Sequence, residues 1–231
     1  MTETNSTITA TENGGARDAI LTSIRRSLAT SEPFDAAWSE HHGHTADTTS
    51  TTRFELSCKE LIENFRNNLE LLGVHFALVS SETEAADHIR SVVEKLDAKR
   101  IVISDSVLVK RLIGISSAIE FVENAPAEFL FECDLGITSA QWAIAETGTL
   151  VLESEKESHR LTSLVPPVHL CILEASNIRQ TLCEILELTS KSLSRTMTFI
   201  TGASRTSDIE LTLAIGVHGP GELHVIVIAD Q

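Results

Sequence analysis

His75-Phe76-Ala77-Leu78-Val79, then Ser80-Ser81-Glu82-Thr83-Glu84, then an amphipathic run ending in Arg100-Ile101-Val102-Ile103, is the stretch that decides the fold. Its first five residues, apolar after His75, read as a strand. Ser81 and Glu84 have the spacing of a capping box, in which each side chain satisfies one orphan N–H at a helix start. Ala85, Ile89, Val92, Val93 and Leu96 then keep helical spacing, and residues 100–103 form a short apolar strand. Residues 107–113 read as the next helix. Strand and helix in alternation predict a parallel sheet covered by helices.

The same grammar extends outward in both directions. Upstream, Ser57 and Glu60 match a second capping box, ahead of Leu61, Ile62, Phe65, Leu69 and Leu72, and Gly73 stops the helix. Downstream, residues 137–152 hold two apolar segments around Glu146-Thr147-Gly148-Thr149. Residues 168–173 read as a strand, followed by a helix capped at Ser176 with Ile178, Leu182, Ile185 and Leu186 inward. Residues 197–201, 209–217 and 223–228 read as three more strands, and their near-continuous apolar character predicts burial on both faces. The fold class is α/β, a mostly parallel sheet flanked by helices.

Three segments are expected. Residues 1–15 are rich in Thr, Glu, Asn and Gly and predict a disordered tail. Residues 16–52 combine a helix, with Ala16, Ile20, Ile24 and Leu28 on one face, and a polar linker. That linker carries Pro33, Phe34, Trp38 and His41-His42-Gly43-His44. Phe34 and Trp38 suit docking on another surface, which makes a homo-oligomer possible. Residues 53–231 form the α/β domain.

Composition excludes several classes. The formal charge of −15 disfavours nucleic acid, whose phosphates call for clustered Lys and Arg, and an anionic membrane surface. No apolar run approaches the ~20 residues of a membrane span, and residues 1–15 lack the basic and apolar regions of a secretory signal. A cytoplasmic location is expected. Cys58, Cys133, Cys171 and Cys183 are scattered with no C-x-x-C, so neither a zinc nor an iron–sulfur site is expected in this chain. The histidine tract reads as an adventitious metal binder, and no metal site is assigned.

Several segments have the residue types of a ligand site. The Glu146-Thr147-Gly148-Thr149 turn presents hydroxyls and N–H groups suited to an anion, with Glu146 placed to act as a base or nucleophile. An exposed hairpin turn would read the same. Gly202-Ala203-Ser204-Arg205-Thr206-Ser207-Asp208 is either an oxyanion cradle or a surface loop whose Arg205 pairs with Asp208. Asp208, Glu210 and Thr212 share a face if extended, and two carboxylates there call for a cation. His218 and Gly219 lie in a Gly- and Pro-dense turn that can meet a ligand. His169, early in an apolar strand, is either a core histidine bonded to a carbonyl or a site histidine with a carboxylate partner.

Taken together, Ala145-Glu146-Thr147-Gly148-Thr149, Leu164-Val165-Pro166-Pro167-Val168-His169, residues 201–210 and Gly216-Val217-His218-Gly219-Pro220 resemble the lactate utilization protein C family, built on the LUD domain. The resemblance covers roughly residues 53–228. It implies a fold similar to ribose-5-phosphate isomerase, glucosamine-6-phosphate deaminase and CoA-transferases, with an N-terminal helical extension. It also implies a part in oxidising L-lactate to pyruvate with iron–sulfur partner proteins, and no cofactor in this chain. The family supplies no settled catalytic set. Glu146 therefore stands as the catalytic candidate, and Thr147, Gly148, Thr149, Gly202, Arg205, Asp208, Glu210, His218 and Gly219 as candidate ligands of a small anionic metabolite.

Three readings follow. The first is an accessory subunit of a lactate-oxidising complex rather than an independent enzyme. The second is a stand-alone enzyme acting on a sugar phosphate or acyl-CoA through Glu146. The third is a non-catalytic interaction module in which the N-terminal leader docks.

Overall fold

In the computed structural model, residues 13–30, 56–115, 121–123, 125–157, 160–190, 192, 194–207, 213–216 and 218–229 are described. The chain divides into two units, Met1–Phe54 and Glu55–Gln231. In the first, α1 spans Asn13–Thr30 and leaves Ile20 and Ile24 exposed. The expected tail up to residue 12 and the linker with Trp38 and the histidine tract lie outside the described residues.

The second unit opens with α2 (Cys58–Leu71). Ser57 accepts from Glu60 N, and the Glu60 carboxylate accepts from Ser57 N at 2.8 Å, so the expected capping box is complete. Strand β1 (His75–Val79) leads into α3 (Glu82–Leu96). Here the box is offset: Ser81 accepts from Glu84 N, but the Glu84 carboxylate accepts from Ser80 N and Ser80 Oγ, one residue earlier than expected. There follow β2 (Ile101–Ile103), α4 (Val107–Ile115), β3 (Phe121–Glu123), α5 (Ala127–Leu130) and β4 (Leu135–Ser139). Next come β5 (Trp142–Ile144), β6 (Thr149–Glu153), α6 (Ser154–Glu157) and β7 (Val168–Glu174). The chain ends with β8 (Ile178–Arg179), α7 (Leu182–Thr189), β9 (Met197–Ile200), β10 (Arg205–Ser207), β11 (Leu213–Ile215) and β12 (Glu222–Ile228).

Six strands form a sheet in the order β1-β12-β7-β4-β2-β3, with every neighbouring pair parallel. Side chains alternate across its faces because the strand period is two. On one face Ile101, Ile137, Leu170, Ile172 and Ile226 pack against α3 and α4 through Ala85, Ile89, Val109 and Leu112. On the other, Cys171, Leu173, Val225 and Val227 meet Phe65 and Leu69 of α2 with Ala143, Leu150 and Leu152. Those last three belong to a second sheet, ordered β8-β5-β6-β9, in which β5–β6 and β6–β9 are antiparallel.

Two sequence-based expectations fail for identifiable reasons. Ser176 caps no long helix: it lies in a short 3-10 turn, Ile178 pairs with Ala143 in the second sheet, and α7 begins after Thr181, whose side chain accepts from Glu184 N. Leu182 and Leu186 are consequently exposed, and only Ile185 of the expected inward set on α7 is buried. Near-continuous apolarity also misleads for β9, whose Phe199 is 45% exposed. Only β12 of those three segments enters the parallel sheet; β11 forms a two-stranded ribbon with β10. Among the described residues no helix is long and apolar enough to cross a membrane.

Candidate functional site

The construction of the site starts at Gly136 in β4. A Cβ there would lie 2.1 Å from the Thr162 carbonyl oxygen, so only glycine lets the Arg160–Ser163 turn approach the sheet this closely. Pro166-Pro167 then fixes the backbone leading into β7. The Pro167 carbonyl accepts from Gly221 N at 2.9 Å, which ties the turn before β12 to the start of β7. In register, Gly136, His169 and Leu223 stand side by side on β4, β7 and β12.

A cleft of about 210 Å³ opens at these amino ends. His169 and Leu223 contribute from the parallel sheet, Ser163 and Leu164 from the turn before β7, and His218, Gly219 and Pro220 from the turn before β12. The remaining wall is residues 198–202 with Ser204. Ser204 N donates to the Pro220 carbonyl (2.8 Å) and Gly216 N donates to the Ser204 carbonyl (2.9 Å), so the two glycine-rich loops are laced together. Four hydroxyls and two imidazoles line this space. No carboxylate does among the described residues, although the chain carries 33 acidic against 18 basic residues.

His169 is the buried imidazole of the cleft. Its Nε2 lies 2.8 Å from Thr138 Oγ1, whose own proton points to Cys171 Sγ at 3.7 Å. With that proton on the sulfur, Nε2–H is the donor and Nδ1 is a bare acceptor. Nδ1 is buried without a partner. Neither a carbonyl nor a carboxylate serves the ring, so both expectations for this residue are replaced by a hydroxyl partner. Burial holds its pKa down to about 3, so the ring is neutral at physiological pH. An orphan acceptor of this kind costs about 1–3 kcal/mol unless a ligand or water supplies a proton.

Of the residues singled out from sequence, Gly202, His218 and Gly219 line the cleft. Thr147 and Thr149 reach it indirectly: their hydroxyls lie 2.7 Å apart, and Thr149 Oγ1 is 2.8 Å from Thr201 Oγ1 in the cleft wall. The turn is a hairpin, with β5 and β6 antiparallel on either side. Gly148 has φ +64°, and a Cβ there would come within 3.1 Å of the Asn68 and Leu69 backbone. Asn68 Nδ2 donates to the Ala145 carbonyl at 2.8 Å, fastening the turn to α2. Glu146 is exposed, and its carboxylate accepts from Leu182 N at 3.3 Å at the start of α7. Arg205 donates to the Leu72 carbonyl at the end of α2 and does not line the cleft. Its role there is satisfaction of an orphan helix carbonyl. Asp208 and Glu210 lie outside the described residues.

Sequence reading missed a second polar centre, at the opposite end of the sheet. After β2 the chain passes to α4 on one face, and after β4 to the second sheet on the other, so the carboxyl ends of β2 and β4 form a topological switch point. Glu157 fills it, 2% exposed, accepting from Ser139 N (3.1 Å), Ser139 Oγ (2.6 Å) and Gln141 Nε2 (2.8 Å). Ser106 Oγ lies 2.7 Å from Ser139 Oγ and extends the network. Burial raises the Glu157 pKa against the opposing pull of these hydrogen bonds. Glu146 and Gly202, by contrast, follow strands of the second sheet, so the rule placing ligands beyond parallel strands does not describe them.

The fold and the cleft thus define a class: an open parallel α/β domain with a second, mixed sheet on one face and a cleft lined by hydroxyls and imidazoles at the amino ends of its central strands. The LUD domain model matches residues 62–228, and the chain belongs to that family. It is 32% identical over 178 residues to lactate utilization protein C of Deinococcus radiodurans, covering 75% of this chain and 82% of that protein. An uncharacterized protein of Neisseria meningitidis, NMB1437, is 39% identical over 110 residues, 46% of this chain and 47% of its own length. The match to lactate utilization protein C of Bacillus subtilis is similar in extent, 32% over 106 residues and 44% of that protein. This chain therefore aligns with about half the length of some relatives and most of another. The crystal structure of a DUF162 family protein from Deinococcus radiodurans superposes with a TM-score of 0.61 at 26% identity, covering 75% of this chain and 99% of that one.

Proposed function

We propose that this chain serves bacterial L-lactate utilization as a subunit supporting oxidation of L-lactate to pyruvate, with the electron-carrying iron–sulfur clusters in partner proteins. Its cleft holds a small anionic metabolite. The observation that carries the cleft's role is its lining among the described residues: four hydroxyls that can donate to an anion, and a buried His169 whose unpartnered Nδ1 can accept from a ligand hydroxyl. The cleft's volume of about 210 Å³ accommodates a small hydroxy or keto acid. Membership of the LUD family and the names of its lactate utilization relatives support the pathway.

The test is an anaerobic pull-down of the tagged chain from lactate-grown cells, with iron in the eluate quantified. Recovery of iron-bearing partners with lactate-dependent dye reduction supports the subunit reading. Lactate turnover by the isolated chain sinks it. A second reading, an independent enzyme, draws on Glu157, whose buried and pKa-raised carboxylate suits a general base better than the exposed, helix-capping Glu146. An activity on sugar phosphates or acyl-CoA that is lost in Glu157→Gln and kept in Glu146→Gln would establish it.

A further inference from the structure

We propose a divalent-metal site for Zn²⁺ at the edge of the parallel sheet, formed by His75, Glu222 and His224. The strand register creates it. His75 on β1 is the direct partner of His224 on β12, and Glu222, two residues earlier, shares the face of His224. The two imidazoles stack with centroids 4.5 Å apart and planes at 24°. Glu222 Oε1 lies 2.7 Å from His224 Nε2 and 3.2 Å from His75 Nε2. One ligand atom from each of the three residues falls within 4.8 Å of the others.

Two nitrogens and a carboxylate oxygen are the donor set that zinc takes in sites with an open coordination position. Bonds of about 2.0–2.1 Å in a tetrahedron put ligand atoms about 3.3 Å apart, close to the 2.7 and 3.2 Å at which Glu222 Oε1 meets the two imidazoles. In the metal-free form the carboxylate oxygen must share protons with two neighbouring imidazoles. A metal ion would replace those protons and take the lone pairs of both Nε2 atoms. The ligands differ in freedom: the His224 side chain is 7% exposed and fixed inside the sheet, whereas that of His75 is 54% exposed and can adjust. With three protein ligands, the fourth position is left to water or an anion. Lys95, at the end of α3, places a positive charge near His224 that opposes the metal. Glu222 supplies the compensating negative charge.

The site is distinct from the cleft: Leu223, between the two ligands on β12, turns to the opposite face and lines that space. The experiment uses the full chain with His41, His42 and His44 replaced by Ala, so that the N-terminal tract contributes nothing. Titration with Zn²⁺ by calorimetry, and with Co²⁺ by visible absorption, is compared with His75→Ala and Glu222→Gln in the same background. Both substitutions are at partly exposed side chains, and the metal-free melting temperature checks that each folds. One equivalent bound, weakened tenfold or more by each substitution, with a Co²⁺ d–d spectrum that each abolishes, is the expected result. Failure of the parent chain to bind one equivalent, or binding by either variant within threefold of the parent, overturns the site.

Discussion

Replacing Gly136 by alanine tests the packing that creates the cleft. The new Cβ would stand 2.1 Å from the Thr162 carbonyl oxygen and 3.1 Å from Pro166 Cγ. Contact to the oxygen needs at least about 3 Å, so sheet and turn must part by about 1 Å; the oxygen is backbone and the proline ring is rigid. Overpacking of this kind costs about 1–3 kcal/mol, and the absence of any flexible neighbour puts this case at the upper end. Alanine also narrows the unfolded ensemble, which returns about 0.4–1 kcal/mol. The net loss of about 2 kcal/mol corresponds to a fall of about 4–8 °C in melting temperature for a domain of this size. Gly114→Ala is the control, since Gly114 sits exposed in α4 with no atom within 4 Å of the added Cβ. It should gain about 1 kcal/mol from helix propensity and melt about 2–4 °C higher. Calorimetric melts of the two variants beside the parent decide the matter. A Gly136→Ala protein melting within 1 °C or so of the parent would refute the close approach of the Arg160–Ser163 turn, and with it the wall of the cleft.

Further outcomes follow from the same geometry. Gly148→Ala meets both a left-handed backbone and the α2 backbone at 3.1 Å, and should lose about 2–3 kcal/mol by chemical denaturation; a loss under about 0.5 kcal/mol would remove the clamp between hairpin and helix. The folded His169 ring stays neutral down to about 3, whereas an unfolded histidine protonates near 6.5, so its contribution is complete above that value and is lost as pH falls. Between pH 7 and pH 5 the parent should therefore lose about 2 kcal/mol more stability than His169→Gln, measured by urea titration at both pH values. The raised Glu157 pKa acts in the opposite sense, favouring the fold at low pH, but it is common to both proteins and cancels in the difference. Parallel pH profiles of parent and His169→Gln would place the ring in water.

Legibility followed the range of the interactions. The capping pair Ser57–Glu60, the helix of Ala85, Ile89 and Val92, and the parallel character of the sheet depend on residues a few positions apart, and the sequence pattern exposes them. Ser176 misled because serine before an apolar run looks like a cap, while the pairing of Ile178 with Ala143 is set by a distant strand. Arg205 read as an anion ligand or a partner of Asp208 because its loop is Gly- and Ser-rich; the partner it has among the described residues, the Leu72 carbonyl, is a helix end far along the chain. Glu157 lay hidden in the polar run that follows β6, with nothing local to mark a buried carboxylate. His75 and His224 meet only through the β1–β12 register, which no spacing reveals. His169 was visible as a histidine in an apolar strand, but its Thr138 partner and its orphan Nδ1 required the neighbouring strand.

The most direct test of the proposed function is growth on L-lactate. Deleting the gene for this chain in its own host should abolish growth on L-lactate as sole carbon source, leave growth on pyruvate intact, and be reversed by a plasmid-borne copy. A deletion strain that grows on L-lactate at the parental rate would contradict a role in lactate utilization and leave the cleft to serve another metabolite.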